Sequence, residues 1–507
     1  MGYPLALLSG VLLALSFPRY GHPAVAWLAL APLIMALARE PGMRSRRAFL
    51  LGLVCGAGYF GGTVYWTPAV VRTFGGLHPI VAVAVGGLLV AYLALFPALF
   101  AVILSRLVAA GGHRSVCAVP VLWAATELLR RHLLGGFPWV LLGSSQATVL
   151  PILQTASLAG VYGLSALVSM GSAAAVLLVV GRGWLRWAMP VGTAALTGIL
   201  WIWGAARVAD GSLVTTGDAM RVALVQGNIR QEEKWNRTSA PAILSTYLRL
   251  TQQAARDGAR LVVWPESSTP FFFEYDAAGN AAIRMTVRES GIHLLFGSDQ
   301  YEAGPPARYF NSAFLLRPDG TTVASYKKMH LVPFGEYVPL KRLLFFAGPL
   351  VEAVSDFSPG EDPMVMPIGT HRLSTAICYE VVYPDLIAAF TGRGSQLLTT
   401  ITNDAWYGDS SAPYQHFWQA AVRAVEQGRY LVRAANTGIS GIVDPYGRVV
   451  ASSGIFEQVV VGGDIRFLTG TTVYGQTGDA FAYACALATV LAWFATRRRQ
   501  DAAAHSR

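Results

Sequence analysis

Long runs of apolar residues limit what this chain can fold into more than any other feature of its sequence. A helix that crosses a bilayer needs about 20 apolar residues, and eight segments are candidates, seven before a long polar stretch and one after it. The candidate segments are residues 4–17, 23–38, 49–71, 79–105, 116–129, 153–180, 185–205 and 480–496. Only 13% of the residues are charged, against about 25% in an average soluble domain. The sequence therefore predicts an integral membrane α-helical bundle of about eight spans.

Arginines in the short loops between these segments predict the orientation of the chain, because basic residues favour the cytoplasmic side. One side carries 11 of them: Arg39, Arg44, Arg46, Arg47, Arg106, Arg114, Arg182, Arg186, Arg497, Arg498 and Arg499. The other side carries four: Arg19, Arg72, Arg130 and Arg131. Both termini are therefore predicted to face the cytoplasm, and the polar stretch to face the periplasm of a bacterium with two membranes. The net charge of +10 reflects many of these arginines, and no basic–aromatic run indicates a nucleic-acid partner.

The polar stretch, residues 219–468, predicts one extramembrane domain between an N-terminal membrane region at residues 1–210 and a C-terminal membrane helix at residues 478–498. Short runs rich in Val, Ile and Leu, typical of strands, recur along it. Residues 239–259 instead place apolar side chains at helical spacing, and the tetrapeptide DPYG at 444–447 indicates a hairpin turn. These patterns predict an α/β or α+β domain with a large buried sheet.

One of the four cysteines lies among polar residues. Cys378 ends a short apolar run and precedes Tyr379 and Glu380, whereas the other three lie inside long apolar stretches, where a thiol usually serves as a small hydrophobe. Those three are Cys55, Cys117 and Cys485. Because the sequence contains no C-x-x-C pair, it predicts neither a disulfide framework nor a metal site. Cys378 is left as the candidate reactive thiol.

Glutamate and lysine side chains at the edges of other apolar runs are suited to activate that thiol. The motif WPES places Glu266 where a predicted strand leaves the core, and YKKMHLVPFGEYVP places Lys328 and Glu336 around an apolar turn. Each of these residues alone is more typical of a surface position or a salt bridge. Together with Cys378 they provide a base for the thiol proton and a cation for an oxyanion. This set of residue types indicates acyl transfer through a thioester.

The motifs WPES, YKKMHLVPFGEY, AICYE and TNDAWYG, in this order and at these intervals, resemble those of the nitrilase, or carbon–nitrogen hydrolase, superfamily. This resemblance implies an αββα sandwich with a catalytic triad of Glu266, Lys328 and Cys378. Three further features narrow the resemblance to one family within this superfamily. They are the motif VQGNIRQEEKW, the HLVPFGEYVP form of the second motif and the membrane segments around the domain, and together they resemble the apolipoprotein N-acyltransferase family. The resemblance extends over essentially the whole chain.

What this resemblance implies is a two-step reaction that uses no metal and no other cofactor. Cys378 takes an acyl chain from a membrane phospholipid, typically phosphatidylethanolamine, and a lysophospholipid leaves. The thioester then acylates the α-amino group of the S-diacylglyceryl cysteine that begins a bacterial apolipoprotein. Glu266 would act as the general base and Lys328 would stabilise the oxyanion. The resemblance also implies a multi-pass protein of the bacterial inner membrane, with its catalytic domain in the periplasm.

Four further residues are brought into or near the site by the same resemblance: Trp235, Glu336, Tyr379 and Glu380. Trp235 is expected either to pack on an acyl chain or to make a packing contact with the core. Glu336 is expected to orient Lys328 or to join the acid–base set, with a structural salt bridge as the alternative. Tyr379 is expected to offer its backbone N–H to the oxyanion, and Glu380 to hold the loop in place.

Other polar residues near these motifs are expected to be structural. Asn403 and Asp404 of TNDAWYG are expected to fix a strand end through hydrogen bonds to the backbone. His330 and His416 raise the alternative of a Cys–His pair of the protease type, but the chain offers no Cys–His–Asn signature. A set of Glu, Lys and Cys also requires no imidazole.

Two other classes of function are compatible with the sequence. One is a membrane-tethered amidase or nitrilase that hydrolyses a small carbon–nitrogen substrate, and the other is a scaffold without catalysis that binds envelope proteins. A soluble nitrilase has no use for eight spans, whereas an enzyme with two lipid substrates does. The sequence therefore favours the acyltransferase.

Two apolar stretches of the extramembrane domain, TPFFFEY and LLFFAGPLVEAV, each follow one of the motifs. Exposed apolar patches on a domain tethered to a bilayer favour membrane contact. Phe271, Phe272, Phe345 and Phe346 are therefore predicted to enter the outer leaflet and to guide the acyl chain to Cys378. The alternative is that both stretches pack on the core of their own domain.

Overall fold

The computed structural model describes residues 2–234, 236, 238–332, 335–337 and 357–505. The chain divides into two compact units. The first consists of Met1–Pro68, Pro79–Asp210 and Thr477–Arg507, and the second of Ala69–His78 and Gly211–Gln476.

The first unit is helical. Its helices, with α5 crossing the boundary between the units, are α1 Gly2–Ala14, α2 Pro23–Ala29, α3 Ala31–Ala38, α4 Ser45–Thr63, α5 Thr67–Gly75, α6 Pro79–Gly111, α7 Val119–His132, α8 Leu150–Leu153, α9 Ala156–Val180, α10 Leu185–Asp210 and α17 Ala480–His505. Small residues let α4 and α6 approach closely, because a Cβ atom at Gly52 would lie 2.4 Å from the Cα of Ala98, and one at Gly56 would lie 2.5 Å from the Cα of Ala94. Such close backbone approach is typical of helix packing in membranes.

Part of the predicted set of membrane spans is supported by helix length and composition. Within the described residues, three helical segments are long and apolar enough to cross a membrane: Pro79–Gly135, Ala156–Val180 and Leu185–Val214. A bent pair, Ser45–Thr63 with Thr67–Gly75, makes a fourth if it is one span. Shorter apolar helices cover Gly2–Ala14, Pro23–Ala38 and Ala480–Thr496. The apolar helices support a membrane protein, and the number of eight spans stays a prediction.

The second unit contains two six-stranded sheets. The first has the order β12-β1-β2-β3-β4-β5 and the second β11-β10-β9-β8-β7-β6. The strands are β1 Ala219–Gln226, β2 Leu261–Val263, β3 His293–Glu302, β4 Arg308–Leu316, β5 Thr322–Lys327, β6 Met366–Ile368, β7 His371–Ile377, β8 Leu397–Thr402, β9 Leu431–Ala435, β10 Gly441–Val443, β11 Val449–Ser452 and β12 Val459–Arg466. Pairing is parallel from β1 through β3 and from β7 through β9, and antiparallel elsewhere.

Helices flank the two sheets. They are α11 Gln231–Lys234, α12 Ala240–Arg256, α13 Ala277–Ser290, α14 Pro384–Gly392, α15 Ala412–Gln427 and α16 Val473–Thr477. Helices α12 and α13 pack on the first sheet, where Tyr247 and Ile283 join a core that includes Trp264 and Phe296. Helices α14 and α15 contact each other, and α15 also packs on β9 of the second sheet. The inner faces of the sheets meet, with the Ser440 hydroxyl donating to Gln226 Oε1 over 2.6 Å. The layers therefore follow the order αββα that the resemblance implied.

Local sequence patterns explain several of these elements. The predicted helix at residues 239–259 is found as α12, whose buried side chains recur at helical spacing, as in Ile243, Tyr247, Leu250 and Ala254. The predicted DPYG turn joins β10 to β11, with the N–H of Gly447 donating to the carbonyl oxygen of Asp444. Because parallel strands point the same way, the residues that follow their carboxyl ends meet at one edge of a sheet. Glu266 follows β2, and Cys378 follows β7.

Candidate active site

Glu266 lies just beyond the carboxyl end of β2. The strand continues to pair through Trp264, whose N–H donates to the carbonyl oxygen of Leu295 on β3. The turn after it passes so close to β3 that a Cβ atom at Gly297 would lie 2.5 Å from the nitrogen of Ser267. Glycine at this position therefore lets the WPES segment bend inward. As a result, the Glu266 side chain is buried, with 6% of the residue exposed.

Both carboxylate oxygens of Glu266 accept hydrogen bonds. Oε1 accepts from Asn311 Nδ2 at 2.7 Å and from Lys328 Nζ at 3.2 Å, and Oε2 accepts from the backbone N–H of Asn403 at 2.9 Å. Burial alone would raise the pKa of Glu266, but the charges of Lys328 and Lys234 and the bond from Asn311 outweigh it and lower the pKa. Glu266 is therefore an ionised carboxylate, able to accept a proton.

Lys328 follows β5 directly and is buried, with 1% of its side chain exposed. Its Nζ lies 2.9 Å from Glu336 Oε1 in addition to its contact with Glu266. Burial alone would lower the pKa of Lys328, but the two glutamates outweigh it and raise the pKa well above its ordinary value. Lys328 is thus a fixed ammonium, whose charge is suited to an oxyanion.

Glu336 is held in place by three donors. Its Oε1 accepts from Lys328 and, at 2.8 Å, from Asn311 Nδ2, and its Oε2 accepts from the N–H of Val332 at 2.8 Å. Of the roles expected from the sequence, the geometry matches the orientation of Lys328. Asn311 bridges the two glutamates from β4, and its only signal in the sequence is an amide within an apolar strand.

Cys378 begins a short 3-10 turn, Cys378–Val382, at the carboxyl end of β7. Its φ of +53° lies in the left-handed region, which is uncommon for residues other than glycine and is often found where the surrounding structure imposes it. Only 5% of the residue is exposed. Burial and the charge of Glu266 raise the pKa of the thiol to about 12, although Lys328 opposes them. Cys378 therefore rests as a thiol and requires a base to become a nucleophile.

Glu380 fixes the loop of the nucleophile to the loop of Lys328. Its Oε2 accepts from the N–H of Ile377 at 2.7 Å. Its Oε1 accepts from the N–H groups of Met329 at 2.6 Å and His330 at 3.1 Å, and from the Tyr326 hydroxyl at 2.8 Å. The expected role of Glu380 in holding the loop matches this geometry. Burial raises the pKa of Glu380 to about 7 despite these donors.

Of the two remaining predicted site residues, the structure describes Tyr379 but not Trp235. Tyr379 is buried, and its ring makes an edge contact with Tyr383 at 5.1 Å between centroids. Its backbone role as an oxyanion donor stays a prediction. Trp235 lies outside the described residues.

A second buried set of charged side chains lies behind Cys378. His416 Nε2 lies 3.1 Å from the carbonyl oxygen of Cys378, and since a carbonyl oxygen only accepts, Nε2 is the donor. Its Nδ1 lies 3.0 Å from Asp404 Oδ1 and 2.9 Å from Arg433 Nη2. Arg433 Nη2 also lies 2.8 Å from Asp404 Oδ2. Both ring nitrogens of His416 are thus engaged away from the thiol, unlike those of a Cys–His pair.

The pKa values of Asp404 and His416 in this second set are both lowered. Burial alone would raise the pKa of Asp404, but Arg433 and His416 outweigh it and hold it at about 2. Burial and Arg433 lower the pKa of His416, against the opposing effect of Asp404. Asp404 was expected to bind backbone, but its partners here are side chains, including the Thr402 hydroxyl at 2.9 Å. Asn403 likewise binds side chains, with its Nδ2 donating to Gln231 Oε1 at 2.6 Å.

The predicted membrane-contacting phenylalanines are described in part. Phe271 packs against the core of the first sheet, as in the alternative interpretation. Phe272 is half-buried and lies near the rings of Tyr301 and Tyr309, with centroids 6.3 and 6.1 Å away. Phe345 and Phe346 lie outside the described residues. Among the residues the structure describes, no group of three or more His, Cys, Asp or Glu side chains is placed to hold a metal ion.

Comparison with known proteins identifies the family. The carbon-nitrogen hydrolase family matches residues 221–470, and the apolipoprotein N-acyltransferase N-terminal domain matches residues 9–174. The apolipoprotein N-acyltransferase of Geobacter metallireducens is 41% identical over 98% of this chain and 96% of its own length. This chain belongs to the apolipoprotein N-acyltransferase family.

Another member of this family, from Methylococcus capsulatus, is 35% identical over 99% of this chain and 97% of its own length. Among solved structures, an amidase from Nesterenkonia sp. is 26% identical, with a TM-score of 0.41, over 54% of this chain and 98% of its own. Glu266, Lys328 and Cys378 all lie within the part of the chain that the carbon-nitrogen hydrolase family matches.

Proposed function

We propose that this protein transfers an acyl chain from a membrane phospholipid, through a thioester on Cys378, to the α-amino group of the S-diacylglyceryl cysteine of apolipoproteins. The observation that carries the proposal is the charge arrangement around Cys378. A buried, ionised Glu266 and a permanently charged Lys328 act electrostatically on a thiol whose pKa is too high for spontaneous ionisation. Such a thiol reacts only when a base removes its proton as the bond to carbon forms.

In the first step, Glu266 takes the proton of Cys378 as Sγ attacks the ester carbonyl carbon. The ammonium of Lys328 stabilises the oxyanion of the tetrahedral intermediate, where a preorganised charge has its largest effect. When the intermediate collapses, the carbon–oxygen bond breaks and the proton on Glu266 passes to the departing oxygen of the lysophospholipid. One proton moves in this step, so a single base suffices.

In the second step, the amine of the acceptor attacks the thioester carbon and the carbon–sulfur bond breaks. Glu266 is suited to take a proton from the attacking nitrogen and to return it to Sγ. Glu336 holds the ammonium of Lys328 in place through a 2.9 Å contact, so that it is available to the oxyanion. Glu380 keeps the two loops at a constant separation through its four donors.

The lipid donor and the location complete the proposal. Phosphatidylethanolamine is proposed as the donor, and the protein is placed in the bacterial inner membrane with about eight spans. The excess of arginine on one set of short loops supports a catalytic domain that faces the periplasm. Labelling of single cysteines engineered at residues 40–47 and near residue 360 tests this orientation, and labelling of the latter from the cytoplasmic side alone would overturn it.

A mass-spectrometric experiment tests the reaction. The purified protein is exposed to phosphatidylethanolamine, and we expect one acyl adduct on Cys378 together with free lysophospholipid. Addition of a diacylglyceryl lipopeptide should discharge the adduct and give an N-acyl product. Cys378→Ala should form no adduct, and an adduct that persists in this variant would refute the assignment. Hydrolysis of a small amide without any transfer from phospholipid would instead support the membrane-tethered carbon–nitrogen hydrolase.

A further inference from the structure

Lysine is rare in this chain, which has four lysines and 35 arginines. Two of the four, Lys234 and Lys328, are buried and both donate hydrogen bonds to Glu266. Arginine stays protonated in proteins, whereas a buried lysine readily shifts its pKa and can serve as a base. Lys328 is held charged by Glu266 and Glu336. Lys234 is therefore the lysine of the site whose protonation is free to change.

Two hydrogen bonds dock Lys234 and its helix beside the base. Lys234 ends α11 with 4% of the residue exposed, and its Nζ donates to the main-chain oxygen of Glu266 at 3.0 Å. At the start of α11, Gln231 Oε1 accepts from the amide of Asn403, whose backbone N–H donates to Glu266 Oε2. Cys378 also acts on the charge of Lys234. Lys234 Nζ thus lies against the main chain of the base, Glu266.

The chemistry of the second step requires one proton acceptor more than the first step. The acceptor amine arrives mostly as an ammonium with three protons on nitrogen, and the amide product keeps one. Of the two protons lost, one returns to Sγ of Cys378 and the other leaves the site. Glu266 can carry the proton that returns to Sγ. A second group must take the other before the nitrogen can attack.

Three other buried titratable groups near the thiol, Glu336, Glu380 and His416, are already engaged. Glu336 accepts from Lys328, Asn311 and the N–H of Val332. Glu380 accepts from four donors that fix two loops. The two ring nitrogens of His416 contact the Cys378 carbonyl oxygen and the Asp404–Arg433 pair. A proton placed on any of these would break a contact that holds the site.

We propose that Lys234, once it has released its own proton to solvent, takes the first proton from the ammonium of the acceptor, and that Glu266 takes the second during the attack and returns it to Cys378. This inference rests on the proposed function. The nitrogen–carbon bond forms, the carbon–sulfur bond breaks, one proton ends on Sγ, and the other passes from Lys234 to solvent. No further reactant is needed.

The charges around Lys234 agree with this role. Burial lowers the pKa of Lys234 to about 8, against the raising effects of Glu266, Asp299 and Cys378. A free α-amino group has a pKa of about 8, so proton transfer between the two nitrogens is nearly balanced. Burial also raises the pKa of Asp299 to about 6, with its Oδ1 accepting from the Ser267 hydroxyl. At pH 7 Asp299 is therefore still mostly ionised, and it provides a negative charge near Lys234.

The test separates the two half-reactions in the full-length protein. Lys234→Arg keeps the charge and a donor for the Glu266 carbonyl oxygen but cannot release its proton, and Lys234→Met removes both. The matched control is Lys327→Arg, at a lysine 28% exposed that pairs with Glu302. Each protein is first acylated with phosphatidylethanolamine, and the decay of the adduct is then followed by mass spectrometry after addition of the lipopeptide.

We expect acylation of Lys234→Arg within about threefold of the parent, and slower acylation of Lys234→Met because the Lys234 charge helps to keep Glu266 ionised. Discharge by the lipopeptide at pH 7 should slow by about tenfold in both variants, since about a tenth of an amine with a pKa of about 8 is uncharged at that pH. The defect should shrink above pH 9, where the acceptor arrives as a free amine. Hydroxylamine, which is mostly uncharged at pH 7, should discharge parent and variants at equal rates. The Lys327→Arg control should behave as the parent throughout.

Three results would overturn the inference about Lys234: equal discharge by the lipopeptide at pH 7, a defect that is the same at every pH, and loss of acylation in both variants. The last two would indicate a structural role or a role in the first step. An unmodified protein that forms no adduct on Cys378 would overturn the proposed function itself, and with it the inference. The two failures are therefore distinguishable.

Discussion

Two buried clusters of charged side chains meet at Cys378, and they use charge in different ways. The base cluster consists of Glu266, Lys328 and Glu336, and the support cluster of Asp404, His416 and Arg433. In both, the charged groups are largely or completely removed from solvent. Buried charges are stable only when they are paired, and in both clusters each carboxylate contacts a cation.

What differs is where each chain of contacts ends. The base cluster ends on the carboxylate of Glu266 and the ammonium of Lys328, groups that in the proposed mechanism exchange a proton or attract an oxyanion. The support cluster ends on the main-chain oxygen of Cys378 through His416 Nε2. This cluster therefore acts through a hydrogen bond on a backbone held at a φ of +53°. Burial and a shifted pKa alone do not mark a catalytic residue, since both clusters have them.

The largest effect should follow from breaking the base cluster. Glu266→Gln and Lys328→Met should each lower the rate of acyl transfer by about 100-fold or more, the scale on which one oxyanion donor or one general base contributes. The Glu266→Gln protein should remain folded, because Asn311 and the N–H of Asn403 still bind the side chain at position 266. Turnover close to that of the parent in either variant would remove that residue from the triad.

Breaking the support cluster should instead act on stability. Asp404→Asn leaves Arg433 buried without its counter-charge, and removal of one partner of a buried pair costs about 3–5 kcal/mol in the free energy of unfolding. The matched control is Asp362→Asn, which breaks an exposed pair with Arg393 and should cost less than about 1 kcal/mol. Chemical denaturation of the detergent-solubilised protein measures both. Equal stability of the two variants would contradict the structural role of this cluster.

A smaller effect on the pH dependence of stability separates Asp404 from Glu380. The pKa of Asp404 is lowered from 3.8 to about 2, so its contribution is present above pH 3.8 and is lost as the pH falls through 2. The pKa of Glu380 is raised from 4.5 to about 7, so its contribution is present below pH 4.5 and is lost as the pH rises through 7. Glu380→Gln should therefore flatten the decline in thermal stability between pH 4.5 and 7. An unchanged slope in this variant would contradict the assignment.

The smallest effect is expected at the cysteines outside both clusters. Cys55→Ala, Cys117→Ala and Cys485→Ala should leave the rate of acyl transfer unchanged, because these thiols lie in the apolar first unit and Cys55 and Cys485 are buried there. Formation of the acyl adduct in the triple variant checks this. Loss of the adduct would show that Cys378 is not the sole thiol that the reaction requires.

Residues of the base cluster were largely predictable, because each lies in a short motif at the edge of an apolar run. Glu266, Lys328, Glu336 and Cys378 are separated by up to 112 positions, yet their residue types already define one chemistry. Asn311 was missed, since it enters the site only because β4 pairs between β3 and β5. The rarity of lysine was a usable signal for Lys234.

The support cluster could not be predicted, and His416 was considered only as a partner of the thiol. Its contact with Cys378 joins the second turn of α15 to the end of a strand 38 positions earlier. Such a contact depends on how α15 packs over the second sheet, which no local pattern encodes. Asp404 and Arg433 gain their partners for the same reason.

By itself, the sequence determined the apolar segments, the candidate nucleophile Cys378 and the types of residue that accompany it, because hydrophobic periodicity and side-chain chemistry are local properties of a chain. The tertiary structure alone decided which oxygen each ammonium reaches and which histidine nitrogen donates to the backbone of Cys378. It also decided that Lys234 lies against Glu266. The physical reason is that the parallel strands of two facing sheets bring residues from distant parts of the chain to a common edge. There the side chains are buried close together, so they form specific hydrogen bonds and their pKa values shift.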